Sequence, residues 1–309
     1  MSKCLPILDQ MPPEIMEKIV GYTDDIDKFR LRQCCKYFKQ IVDKSEIDFD
    51  DLSFCYSENW ANVCVRFPGR HTIDKTFNGE NPENAMAALN FLENVLKSHP
   101  KIYVIDMLFQ VRFETRQLEK HRELVVEKLS QIFSGLESKL QVETLTIQSF
   151  QDEQLLMSVL PHLVPGTLRE LNLNNTFTPN ISIDLSRTFE TEQWKQADVL
   201  TVAHNCLAFD LEKTDHFETV DYKVAILEVE YVKGIIENFR RPENVEKWRI
   251  IHPDQYDFDA IKQSLSQFDH KIVRNDDDVL TMIICRDGYG CEIDLDRRLN
   301  RMVFEGVGE

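Results

Sequence analysis

The sequence predicts an α+β chain in two parts: a small helical unit, then an irregular α/β solenoid closed by a C-terminal β-hairpin cap. Three observations predict this. Pro12-Pro13-Glu14 opens a helix at the head of two short apolar stripes. Six later segments share one frame, apolar at the first, fourth and sixth places. Close to residue 309, alternating apolar runs flank Asp287-Gly288, a strong short-range hairpin signal.

In the helical unit, proline is tolerated in the first turn, where its missing N–H would be unbonded anyway, and Glu14 suits the positive end of the helix dipole. Ile15, Ile19 and Tyr22 then fall on one face, with Met16 and Val20 beside them. Asp24-Asp25-Ile26-Asp27 reads as a turn and N-cap. A second helix is expected from Lys28 to about Asp43, with Leu31, Cys34, Cys35, Phe38, Ile41 and Val42 as its stripe. So small a unit covers its own apolar surface only in part. Either the rest of the chain or a partner must cover the remainder.

The residues that form this unit resemble an F-box. The run Leu8-x-x-Met11-Pro12-x-Glu14-Ile15-x-x-x-Ile19-Val20-x-Tyr22, then Phe29-Arg30-Leu31-Arg32-Gln33-Cys34-Cys35-Lys36-x-Phe38, follows that family's order and spacing over residues 5–45. Met11 stands where the family has leucine, Thr23 and Lys28 where leucines are common, and Cys34 in the usual valine place. The resemblance implies a three-helix module docking on a Skp-type adaptor of a cullin-RING ubiquitin ligase. Carried over by position, it assigns Leu8, Met11, Pro12, Ile15, Ile19, Leu31, Cys34 and Phe38 to the adaptor interface or to the module's core, without dividing the two roles.

Residues 46–82 contain Pro68-Gly69, Asn78-Gly79 and Asn81-Pro82, all turn signals, and read as a linker or junction. The shared frame follows, at Ile102-x-x-Ile105-x-Met107, Val142-x-x-Leu145-x-Ile147, Leu168-x-x-Leu171-x-Leu173, Ala197-x-x-Leu200-x-Val202, Val224-x-x-Leu227-x-Val229 and Val245-x-x-Trp248-x-Ile250. Measured at the fourth place, the intervals are 40, 26, 29, 27 and 21 residues. Four of these fit the leucine-rich-repeat range of roughly 20 to 29 residues. Helical stretches are expected between the strands, at Pro82 to His99, Thr115 to Leu140, Gln154 to Leu163, Glu190 to Ala197, Tyr231 to Arg240 and Asp259 to Phe268. A strand, a helix and a parallel strand displaced sideways make one unit of an α/β solenoid; an ordinary α/β domain with accidental spacing is the alternative. Val279 to Arg286, Tyr289 to Leu295 and Arg301 to Glu305 supply the capping strands.

Within residues 83–305, VLPHLVPGTLRELNLNN and FETEQWKQADVLTV resemble the FTH, or F-box-associated homology, domain of a nematode-type F-box family. That resemblance implies a C-terminal domain that recruits a protein target for ubiquitination. If the solenoid holds, the residues between the buried ones face outward along the strands and form the target surface: Thr144, Thr146, Glu170, Asn172, Thr201, Lys247 and Arg249. The alternative is a non-catalytic interaction scaffold whose adaptor binding is not linked to degradation.

Composition narrows the classes further. A formal charge of -17 argues against nucleic acid as a partner, because phosphate neutralisation needs clustered Lys and Arg. No apolar run reaches the roughly 18 residues of a membrane span, and MSKCLPILDQMPPE lacks a signal peptide's apolar core, so the expected address is cytoplasmic and/or nuclear. The eight cysteines show no C-x-x-C pair and are expected to be small buried hydrophobes; no metal or other cofactor is expected. The eight histidines stand singly, and G-x-S-x-G, P-loop, G-x-G-x-x-G and H-E-x-x-H motifs are absent, so no enzyme is predicted. Asp276-Asp277-Asp278 reads as a solvated turn, and Trp60, Trp194 and Trp248 as core residues.

Overall fold

The computed structural model describes residues 11–57, 60–78, 82–111, 117–148, 153–174, 184–206, 213–214, 216–224, 229–239, 247–251, 258–268, 270–275, 279–286, 289–296 and 301–307. Two compact units emerge, 1–148 with 154–168 and 149–153 with 169–309. Each mixes helix and sheet.

The first unit begins with α1 (Pro13–Gly21), α2 (Asp25–Cys34) and α3 (Lys36–Val42). The Asp24 carboxylate accepts from the Asp27 N–H at 2.8 Å and so caps α2, as its position predicts. The single second helix expected from Lys28 to Asp43 is broken at Cys35, whose backbone is extended (φ -161, ψ 167). Cys34 and Cys35 are weak helix formers, and the break lets Phe38, Ile41 and Val42 on α3 enter the core.

Residues 46–82 are not a junction. They form β1 (Ile47–Ser57), β2 (Trp60–Phe67) and β3 (His71–Asn78), an antiparallel meander. The turn signal Pro68-Gly69 was real, but it closes the β2–β3 hairpin, with Gly69 and Arg70 at positive φ. Next come α4 (Pro82–Leu96), β4 (Ile102–Val111), α5 (Gln117–Ser134), β5 (Gln141–Gln148) and α6 (Glu153–Met157). Strand order in this unit is β3-β2-β1-β4-β5, with β1, β4 and β5 parallel.

The apolar frame is present here, two residues later in β4 than the sequence suggested. Val104, Met107 and Phe109 are the buried first, fourth and sixth residues, paired with Val142, Leu145 and Ile147 of β5. Ile105, expected inside, is exposed. Phe49, Leu52 and Phe54 of β1 align with the same triplet, so a strand assigned to the junction carries the frame as well. Ala88, Leu89, Leu92, Val95 and Leu96 of α4 and Val125, Leu129, Ile132 and Phe133 of α5 are buried with these triplets, and Phe133 meets Phe109 edge-on at 5.9 Å.

The second unit contains β6 (Glu170–Asn174), α7 (Glu192–Lys195), β7 (Val199–Cys206), β8 (Thr219–Val224), α8 (Val229–Phe239), β9 (Lys247–Ile251) and α9 (Phe258–Leu265). After them come β10 (His270–Asn275), β11 (Val279–Arg286), β12 (Tyr289–Asp296) and β13 (Arg301–Val307). The order is β6-β7-β8-β9-β13-β12-β11-β10, parallel through β9 and antiparallel beyond it. Leu200 and Val202 of β7 pair with Val220 and Tyr222 of β8, not with the expected Leu227 and Val229. Val229 instead opens α8, because Phe217 and Val220 fill the core positions that the frame requires. Arg286 pairs with Tyr289, leaving Asp287-Gly288 between them. β10 was not foreseen. Trp194 is core, edge-on to Phe217 at 5.0 Å, with its indole N–H donating to Lys213 O at 2.8 Å.

Among the described cysteines, Cys34 is exposed and Cys35, Cys55 and Cys64 are half-buried, so these four are not the buried hydrophobes expected. Cys34 and Cys35 stand at the end of α2, and Cys55 and Cys64 alternate with the buried residues of the inner strands β1 and β2.

Candidate functional site

The structure divides the helical residues that the sequence could not. Met16 and Val20 of α1 turn inward with Ile26, Phe29, Phe38, Ile41 and Val42, while Ile15 and Ile19 are 48% and 40% exposed and Tyr22 is 92% exposed. Three apolar residues at positions i, i+4 and i+7 thus stand in solvent on one side of α1. Scattered exposed apolar residues need no explanation, but three aligned on one helix face form a surface that water disfavours.

That face is held rigidly from below. Pro12 O accepts from the N–H groups of Ile15 and Met16 at 3.0 and 3.2 Å, starting the helix at the expected residue. The Tyr37 hydroxyl donates to Met11 O at 2.9 Å, fixing the chain's entry against α3. Arg32 grips Asp43 at 2.5 and 3.4 Å, tying α2 to the end of α3. Thr23, in a usual leucine place, donates its hydroxyl to Val20 O at 2.7 Å and closes α1, and Lys28 pairs with Asp25 at 2.7 Å.

The helices also pack on the sheet of their own unit. Phe29 lies edge-on to Phe67 at 5.8 Å, and Phe67 edge-on to Phe49 at 5.2 Å. Buried His99 donates from Nε2 to Val42 O at 2.8 Å, and its Nδ1 lies 2.8 Å from Lys101 O and 3.1 Å from Lys101 N. Of the eight residues assigned by position, Ile15, Ile19, Pro12 and Cys34 are exposed, Met11 and Leu31 are half-buried and Phe38 is core; Leu8 lies outside the described residues. The Cys34 thiol donates to Arg30 O at 3.4 Å.

The strand-facing residues behave differently in the two units. In the first, Thr144 and Thr146 are half-buried and paired with Asp106 and Leu108 of β4. The row they extend runs Arg66, Asp51, Asp106, Thr144 across four strands. Burial pushes the Asp51 carboxyl above its ordinary range, Arg66 pulls it back and Asp106 adds to the rise. Burial likewise raises the Cys64 thiol, and Asp51 and Asp74 nearby add to the rise, which disfavours the thiolate.

In the second unit, Asn172, Thr201, Asp221 and Arg249 form one row across β6 to β9, and Arg249 is ion-paired to Asp221. Lys247 is paired to Glu305 across the β9–β13 boundary, and Asn172 donates to Glu170 at 3.0 Å. The predicted cations are therefore matched by acids on neighbouring strands. Asp51, Arg66, Asp106 and Asp221 lie on strands that the sequence reads as junction or sets out of frame, and Glu305 lies on an expected capping strand whose pairing with β9 the sequence does not report. Phe49-x-x-Leu52-x-Phe54 and Phe217-x-x-Val220-x-Tyr222 carried the signal.

Among the described residues no group of three or more His, Cys, Asp or Glu side chains is placed to hold a metal ion. No described helix is long and apolar enough to cross a membrane. Comparison with known families finds a family model for the F-box domain matching residues 8–50 and one for the FTH domain matching residues 123–270. No curated protein matches the chain.

Proposed function

Because the chain carries an F-box domain followed by an FTH domain, we propose that it is the substrate-recognition subunit of a cullin-RING ubiquitin ligase. F-box domains bind Skp-type adaptors of these ligases, and proteins of this architecture are non-catalytic adaptors. In this reading α1 to α3 dock on the adaptor, and the observation that carries it is the aligned exposure of Ile15, Ile19 and Tyr22 over a rigid core. An apolar helix face set against helices is a recurrent docking mode. Residues 83–305 bind the target. The residues that would meet it alternate with the buried ones along the strands, Thr144 and Thr146 in the first unit and Glu170, Asn172, Thr201, Lys247 and Arg249 in the second. The chain works in the cytoplasm and/or nucleus and supplies proximity, while a partner enzyme transfers ubiquitin to the target lysine.

The test is binding of the purified chain to a Skp-type adaptor beside an Ile15→Asp, Ile19→Asp variant, with circular dichroism on both. Tight binding lost in the folded variant supports the reading; no binding by the folded wild type removes it. Removal of the chain from cells separates receptor from scaffold, since a receptor's target accumulates and a scaffold's partners only disperse. Charge introduced together at Asn172, Thr201 and Arg249 is expected to weaken binding of an identified target. Unchanged target binding would falsify the surface assignment.

A further inference from the structure

The strand order of the second unit ends at β10, and among the described residues no strand pairs with its outer side. Lys271 to Asn275 are exposed along their whole length, and Ile272 and Val273 are large apolar residues at 49% and 58% exposure. An open edge offers a row of backbone N–H and C=O groups to any extended chain. Apolar side chains at such an edge raise the gain from covering it.

The register fixes where the charges point. Ile272 faces Met282 and Arg274 faces Thr281, so Val273 is the extra residue of a bulge. Lys271 faces Ile283, on the same side of the sheet as Thr281, because Ile283 and Thr281 are two apart on β11. The bulge therefore sets Lys271 and Arg274, three apart in sequence, on one side of the sheet. Charges and bulges ordinarily guard an edge against pairing. Here the guard selects by sign. A second copy pairing antiparallel, with Ile272 set against Val273, would bring Lys271 opposite Arg274, and like charges directly opposite are destabilising. A strand carrying carboxylates at those places meets attraction instead.

We infer that the outer edge of β10 binds an acidic, extended protein segment by strand addition, with Lys271 and Arg274 reading its carboxylates and Ile272 and Val273 its apolar residues. That such a segment belongs to a ubiquitination target rests on the receptor reading; the binding itself does not. The edge lies far along the sequence from the F-box, so adaptor binding measured on the same preparation tests the two separately.

The experiment is fluorescence anisotropy of the full chain with a labelled peptide of about six residues alternating Glu with Val. The same peptide N-methylated on alternate backbone amides, and the Lys271→Glu, Arg274→Glu variant, are run beside it. The expected result is saturable binding that N-methylation abolishes and that the variant weakens by at least about tenfold while keeping its circular dichroism spectrum. No binding, or binding that either change leaves intact, overturns the proposal. So does a wild-type dimer in sedimentation that the variant dissociates, because a second copy would then occupy the edge.

Discussion

At the scale of single residues, exposure separates function from stability within one short helix. Ile15 and Ile19 touch solvent, so Ile15→Asp and Ile19→Asp are each expected to change unfolding free energy by no more than about 0.5 kcal/mol, while the proposed docking role predicts that they weaken adaptor binding. Phe38, assigned by position to the interface or the module's core, is buried, and Phe38→Ala is expected to cost about 3 to 5 kcal/mol in urea unfolding. His99 belongs with Phe38. Its ring joins Val42 O to Lys101 inside the first unit, and Val42 O also accepts from the Ser45 N–H at 2.9 Å and the Ser45 hydroxyl at 2.8 Å, so His99→Ala removes one of three donors and leaves the carbonyl satisfied. The loss of that hydrogen bond is expected to cost about 0.5 to 1.5 kcal/mol in urea unfolding, and a larger loss would show that the ring's packing matters more than its bond.

At the scale of elements, α4 and α5 are joined by one carboxylate. Glu93 accepts from Lys97 at 2.6 Å on its own helix and from Lys128 at 2.7 Å on α5. The hydrogen bonds from Lys128 and Lys97 hold its carboxyl below the ordinary value of 4.5. A lowered folded-state value means that the unfolded chain takes up the proton first as acid is added. The stabilisation is complete above pH 4.5 and is lost as pH falls through the lower folded value. Urea unfolding followed from pH 7 downward is expected to show a steeper acid loss for the wild type than for Glu93→Gln. Parallel curves would mean that solvent screens the clamp.

At the scale of the whole molecule, the helical module is not tethered by a linker. Its Phe29 stacks into the Phe67 and Phe49 pair of the sheet, and Val42 is held by His99. Deleting residues 1–45 is therefore expected to destabilise the first unit by at least about 3 kcal/mol, the scale of emptying one large core site. Thermal melting followed by circular dichroism reads this directly, and an unchanged melt would restore the tethered-module picture. The F-box match itself runs on to residue 50, inside β1, in keeping with a module that shares its core with the strands after it.

The sequence alone determined the helix start at Pro12, the Asp24 cap, the capping strands around Asp287-Gly288 and the α/β alternation between them, because proline chemistry, side-chain capping, turn preference and apolar period act over a few residues. It also carried the F-box and FTH patterns. Only the tertiary structure decided which of Ile15, Met16, Ile19 and Val20 face inward, since adjacent apolar positions are equivalent until something packs on one of them. The same holds for the phase of the repeats. Ile102 and Val104 both fit the frame as letters, and pairing with Phe49 and Val142 selected Val104. The strand rows that bring Asp221 to Arg249 and Glu305 to Lys247 join residues 28 and 58 apart in sequence, a distance over which no local pattern can report a contact.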